Sequence, residues 1–288
     1  MLSVALAFVG ALVYGAGDFL GGLASRRLPA IVVSSVAAFA GMVVLLALVP
    51  FAGGRPTGAD LLWGAASGVA GAVAIALLYG CLAIGPMSVL SPVTAVVSAV
   101  SPILWAVLVD GTRLGPWAIA GIALAAVAIV LVALLPGERI VRPSARGLAM
   151  AVGSGVAIGA FLIILDRIGA DAGLLPIVLG RAVNGTVAAI AAAVILLPAL
   201  RGRVPEVARD ARRWMLAIGC GVVDGSANLL LLAALRADGE LAVVSALTAL
   251  YPAGTILLAA LVLRERITPL QWAGLALALA ASAALALG

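Results

Sequence analysis

The sequence contains no histidine and no lysine, and it holds only 2 cysteines among 288 residues. Without histidine the chain lacks the commonest metal ligand and the commonest proton shuttle. Cys81 and Cys220 both fall inside long apolar runs, so neither a disulfide framework nor a zinc site is expected. Charge is also scarce, at 10% of residues, where ordinary globular chains carry about 25%. There can be no HExxH, there is no GxGD pair suited to intramembrane proteolysis, and Gly153-Ser154-Gly155 reads as packing glycines. An enzyme, a cofactor and a metal centre are therefore not expected.

What the chain has instead is apolar length: 65% hydrophobic residues and a mean hydropathy of +1.29. A helix that crosses a bilayer needs about 20 mostly apolar residues. Ten runs qualify, at 2–23, 29–51, 60–82, 86–108, 115–135, 147–165, 173–197, 213–235, 240–263 and 269–287. The fold class expected is all-α integral membrane, with ten transmembrane helices that leave no length for a soluble catalytic domain. The first run follows Met1 with no basic segment and reads as an anchor rather than a cleaved signal. All 17 basic residues are arginine, and the pI is 10.2. They lie in short loops with no basic domain among them, so membrane lipids rather than nucleic acid are the expected partners.

The stretch Cys81 to Gly121 occurs twice. Shifted by 153 positions (274 − 121), it lies ungapped on Ala234 to Gly274. Arg113, Pro116 and Gly121 then fall on Arg266, Pro269 and Gly274, while Leu82, Ile103, Ala106 and Val109 fall on Leu235, Ile256, Ala259 and Val262. Such repeats define architecture. The polar segment Pro136 to Ala145 divides the chain into two units, 1–138 and 139–288, of five spans each. An odd number of spans makes the second unit enter the membrane in the opposite sense. That is the inverted repeat of many secondary transporters, whose substrate site lies between the halves near the midplane.

Glycines and prolines mark where helices touch and bend. Gly64, Gly68 and Gly71 share a face of the third span, and Gly15, Gly17, Gly21 and Gly22 crowd the end of the first, as close helix packing requires. Pro92 and Pro102 in the fourth span and Pro252 in the ninth each remove a helical hydrogen bond and are expected to kink their helices. Kinks in corresponding spans point at the binding region.

Polar residues inside the membrane need a reason to be there. Tyr14 and Asp18 on the first span, Arg181 and Asn184 on the seventh, and Asp224 and Asn228 on the eighth each pair on one helical face. The fourth span carries Ser88, Ser91, Thr94, Ser98 and Ser101 along one face; the ninth carries Ser245, Thr248, Tyr251 and Thr255. Thr94, Ser98, Thr248 and Tyr251 are the expected cavity wall, although such hydroxyls also bond back to their own helix. One arginine cannot compensate two carboxylates, so an ion pair with Arg181 leaves a carboxylate able to take a proton. Asp224 and Asp18 are the candidate coupling residues, and protons the candidate coupling ion.

At these residues the chain resembles the drug/metabolite transporter superfamily, in particular its ten-span EamA-type transporters, over nearly its whole length. Tyr14-Gly15 stands where that family commonly shows Trp-Gly. Glu265-Arg266-Ile267 is followed by Gly274, and Pro252 precedes the acid by thirteen residues (265 − 252). Arg181 sits where the family often has an arginine. The first repeat departs, with Thr112 for the acid and Ala99 for the proline, and with Pro102 displaced. The resemblance implies export of small metabolites such as amino acids through a central cavity lined by both repeats.

It also implies cytoplasmic termini. Loops after odd-numbered spans hold 12 of the 17 arginines and loops after even-numbered spans 4, which by the positive-inside rule puts the termini outside. Both orientations stand at this point. The function expected is secondary active export of small polar or amphipathic, amino-acid-like metabolites across the inner cell membrane by alternating access. In it Arg181 would meet a substrate carboxylate, and Asp224 an amine or the coupling proton. A lipid or lipid-phosphate flippase is the alternative, and a structural or receptor membrane protein the alternative of another class.

Overall fold

The computed structural model describes residues 1–25, 28–84, 87–133, 144–196, 211–237, 240–263 and 268–287. Most of the Pro136 to Ala145 divide, Arg26 and Arg27, the arginines of the 198–213 loop up to Arg209, and Glu265-Arg266-Ile267 lie outside these residues, as do the side chains of Ser88, Ser91 and Pro92. The described chain is helical, with no strand among the described residues. Its elements are α1 (Leu2–Ser25), α2 (Ala30–Ala52), α3 (Gly58–Ile84), α4 (Met87–Leu108), α5 (Pro116–Ala133), α6 (Ala145–Asp166), α7 (Leu175–Leu196), α8 (Ala211–Arg236), α9 (Leu241–Thr248), α10 (Tyr251–Val262) and α11 (Pro269–Leu287).

Among the described residues, seven stretches are long and apolar enough to cross a membrane: Leu2–Ser25, Ala30–Ala52, Gly58–Leu78, Ala145–Asp166, Leu175–Ile195, Trp214–Arg236 and Leu241–Val262. Three more, Val93–Leu108, Pro116–Leu131 and Pro269–Leu285, are apolar but shorter. Bulky Leu, Val, Ile and Trp side chains face outward, whereas alanine dominates the buried set. Lipid solvates the large apolar side chains, so helices associate by close packing and hydrogen bonding instead.

The sequence repeat is visible in the helix ends. Pro116 and Pro269, equivalent under the 153-residue shift, are each the first residue of their helix, α5 and α11. The missing proline N–H costs nothing at that position. Capping boxes start two helices. The Thr57 N–H donates to Asp60 Oδ2 (2.7 Å) and the Asp60 N–H to Thr57 Oγ1 (3.2 Å) ahead of α3. Thr268 and Gln271 exchange the same pair of bonds, at 3.1 and 3.3 Å, ahead of α11.

The two copies diverge at their prolines: Pro252 corresponds to Ala99, while Pro92 and Pro102 correspond to Ser245 and Thr255. Helix α4 runs unbroken through Pro92 and Pro102, whereas its counterpart is interrupted at Ala249 and Leu250 between α9 and α10. The proline ring clashes with the carbonyl four residues back. For Pro252 that residue is Thr248, where α9 ends. The first copy has Ala99 at the equivalent position.

Helices from the two halves interleave. The extensive pairings are α1 with α8, α3 with α6, α2 with α7 and α8, α3 with α7, α4 with α6 and α9, α1 with α9 and α10, and α5 with α11. Exchanging each span for its counterpart five spans away turns this set of pairings into itself. Glycine permits the approaches. A Cβ on Gly41 of α2 would stand 2.7 Å from the Gly221 carbonyl oxygen of α8, and one on Gly15 of α1 only 2.6 Å from the Thr255 nitrogen of α10.

Loops at one end of the bundle are tied by polar contacts. Asp60 Oδ1 accepts from the Gly169 N–H (2.8 Å), and Arg236 at the end of α8 donates to the carbonyls of Gly169 (3.3 Å) and Gly173 (3.0 Å). The Arg55 N–H reaches the Asp171 carbonyl at 2.8 Å. Arg167 pairs with Asp110 and lies 5.8 Å from the Trp105 ring centre.

A side chain at Gly41 must push α2 off α8. Gly41→Val is expected to destabilise the detergent-solubilised protein by about 1–3 kcal/mol in an unfolding titration. Gly22→Ala, where nothing lies within 4 Å of the added Cβ, is expected to stay within about 1 kcal/mol of wild type.

Candidate functional site

A cavity of about 240 Å³ lies among α1, α3, α6, α7, α8 and the α9–α10 junction. Eight of the ten residues expected at a binding site line it: Tyr14, Asp18, Arg181, Asn184, Asp224, Asn228, Thr248 and Tyr251. The interruption of the ninth span brings in two of them, since Thr248 is the last residue of α9 and Tyr251 the first of α10.

Thr94 and Ser98 do not line this cavity. Both are buried, and each has its hydroxyl turned to backbone: Thr94 Oγ1 donates to the carbonyls of Leu90 (3.0 Å) and Ala151 (3.1 Å), and Ser98 Oγ to that of Ala95 (2.8 Å). The reason is the neighbouring helix. A Cβ on Gly155 would come within 2.8 Å of the Thr94 carbonyl, and one on Gly159 within 2.6 Å of Ser101 Cβ, so α6 covers the hydroxyl face of α4. That stripe joins helices. The second stripe divides: Ser245 is buried and bonds within its helix (3.0 Å to the Ala242 carbonyl), and Thr255 Oγ1 donates across to the Gly15 carbonyl at 3.1 Å. Thr248 and Tyr251 reach the cavity.

The polar centre is an ion pair between Arg181 of α7 and Asp224 of α8, whose side chains are 12% and 26% exposed. The same guanidinium nitrogen donates to the Asp224 main-chain carbonyl at 3.3 Å, and Asn228 Nδ2 donates to that carbonyl at 2.9 Å. Of the two carboxylates open to Arg181, the structure pairs Asp224. Asp18 is accessible and has no hydrogen bond or ion pair with any described residue. Asn184 Oδ1 is buried and likewise has no hydrogen-bond partner among the described residues. Gly17 brings α1 against α8, with its would-be Cβ 3.5 Å from Asp224 Cβ, which sets Asp18 beside the ion pair.

Of the rest of the wall, the sequence marked only Gly68 and Gly71, as packing glycines. Ser67, Gly68, Gly71 and Ala74 of α3 form a face of small residues, and Ile158, Phe161 and Leu162 of α6 with Ile177 of α7 form an apolar one. In a span, an apolar residue at a cavity reads the same as one against lipid. Among the described residues no group of three or more His, Cys, Asp or Glu side chains is placed to hold a metal.

A helical, multi-pass membrane bundle with a polar, charge-bearing cavity between its halves defines the class. Residues 145–287 match the EamA-like transporter family, and the chain belongs to that family, within the drug/metabolite transporter superfamily. A solved crystal structure is similar over 99% of this chain and 98% of its own, with a TM-score of 0.79 and 15% sequence identity, which establishes the common fold. No curated protein sequence matches the chain.

Removing one partner of a buried ion pair strands the other charge, at a cost of about 3–5 kcal/mol, while replacing both with apolar groups is far milder. Arg181→Leu alone is expected to lower the unfolding midpoint more than the double variant Arg181→Leu/Asp224→Leu does. Urea titration in detergent reads the difference.

Proposed function

We propose that this protein is a ten-span secondary active transporter, built as two inverted five-span repeats over residues 1–138 and 139–288. It exports small polar or amphipathic, amino-acid-like metabolites across the inner cell membrane by alternating access. The observation that carries this reading is the cavity: Tyr14, Asp18, Arg181, Asn184, Asp224 and Asn228, from three helices drawn from both halves, meet in one space inside an apolar bundle. Ionisable groups at membrane depth are costly, and they occur where substrate or ions pass.

The packing supports the inverted arrangement, because exchanging the five spans of one half for those of the other preserves the helix pairings. Two similar halves meeting around a shared site can exchange which side of the membrane that site faces by rocking against one another. The interrupted ninth span supports a site near mid-membrane, where broken helices supply cavity-lining groups. In this scheme Asp224 or Asp18 carries the coupling proton, and Arg181 meets a substrate carboxylate only where that carboxylate displaces Asp224.

A ligand that binds only the folded state raises its stability by RT ln(1 + [L]/Kd), about 2.7 kcal/mol at a hundredfold excess over Kd. A thermal-shift screen in detergent against amino acids, purines, sugars, organic cations and lipid phosphates is expected to return a small amphipathic metabolite. A response to lipid phosphates alone would replace export with lipid flipping. In proteoliposomes Asp224→Asn is expected to fold and to lose coupled flux of that metabolite. Wild-type flux in the variant would remove Asp224 from the coupling role.

A further inference from the structure

Asp18, Arg181 and Asp224 are the side chains lining the cavity that carry formal charge, and two of them satisfy each other. Arg181 is engaged by Asp224 through both its carboxylate and its main-chain carbonyl. Asp18 has no hydrogen bond or ion pair with any described residue, and Asn184 Oδ1 is buried without a hydrogen-bond partner among them. Both of these groups are acceptors. The fixed groups of the cavity therefore present spare acceptors and no spare formal positive charge.

The surroundings of Asp18 sharpen this. Tyr14 lies one helical turn before it on α1, and Tyr251 opens α10. Both line the cavity and lie within electrostatic reach of the Asp18 carboxyl. A carboxylate that lines a cavity with no partner in the wall is open to a cationic or proton-donating one. An ammonium group supplies N–H donors to a carboxylate and to an amide oxygen, and it is attracted to aromatic rings. Past this corner the wall is apolar, formed by Ile158, Phe161 and Leu162. The volume of about 240 Å³ lies below the roughly 300 Å³ at which drug-sized pockets begin.

We infer that the cavity selects its cargo by an ammonium group, held by Asp18 and Asn184 Oδ1 beside Tyr14 and Tyr251, on a small apolar body. A carboxylate on the cargo is dispensable, because the cation that would receive it is already neutralised by Asp224. This rests on the reading of the protein as a transporter, and it narrows the substrate class from amino-acid-like metabolites to small amphipathic primary amines, with or without a carboxylate.

Three compounds with one alkyl body separate the possibilities: pentylamine, 2-aminohexanoate and hexanoate. Melting of the full-length protein in detergent is measured with each at matched concentration. Pentylamine and 2-aminohexanoate are expected to raise the melting temperature and hexanoate to leave it unchanged. Asp18→Asn is expected to melt like wild type and lose both shifts, while Asp18→Glu regains part of them. Should Asp18→Asn not fold, Tyr14→Leu is expected to weaken the pentylamine response at least tenfold in half-saturating concentration, and Tyr14→Phe to keep it. A shift with hexanoate but not pentylamine, or a pentylamine shift unchanged in Asp18→Asn, overturns the inference.

Counterflow in proteoliposomes loaded with a radiolabelled metabolite extract distinguishes the two levels of failure. Protein-dependent flux without amine recognition removes the ammonium assignment and keeps the transporter. No protein-dependent flux of any solute removes both.

Discussion

The ion pair between Arg181 and Asp224 is the interaction on which the rest of the interior depends. A guanidinium at membrane depth must have an anion beside it. Here that anion comes from α8, and the Asp224 carbonyl adds a second acceptor. The pair bridges α7 and α8, each of which packs on α2. It also settles the charge balance of the cavity. Once Arg181 and Asp224 have cancelled, Asp18 is the carboxylate left to define what the space prefers.

The same need to satisfy polar groups explains the hydroxyls. Thr94, Ser98, Ser101, Ser154, Ser245 and Thr255 all donate to backbone carbonyls, four of them along their own helix and three, Thr94 again included, to a neighbour. A serine or threonine that has found a carbonyl has spent its one donor. These residues make the bundle coherent rather than polar. Glycine does the complementary work, since Gly15 and Gly41 let backbones meet at distances that any side chain would prevent.

A nearly symmetric scaffold thus carries an asymmetric site. The equivalent spans α4 and α9–α10 begin and end within one residue of each other under the 153-residue shift, yet only the second is interrupted. Pro252 ends α9 at Thr248 and presents Thr248 and Tyr251 to the cavity, while α4 is continuous and covered by α6. Pro252, replaced by Ala99 in the other copy, stands at that interruption.

Composition and run length were enough to establish a helical membrane protein, because a bilayer imposes its length and polarity on each helix separately, and the 153-residue repeat raised the expectation of two related units. The i+3 and i+4 spacings were also enough to pick out Tyr14, Asp18, Arg181, Asn184, Asp224 and Asn228, because a polar residue in lipid stands out against its own helix. Which carboxylate Arg181 takes, that Thr94 and Ser98 face α6, and that Phe161 and Ile158 close the cavity depended on which helices lie side by side. Those are relations between segments far apart in the chain, set by where glycines allow backbones to touch, and a single strand of text does not carry them.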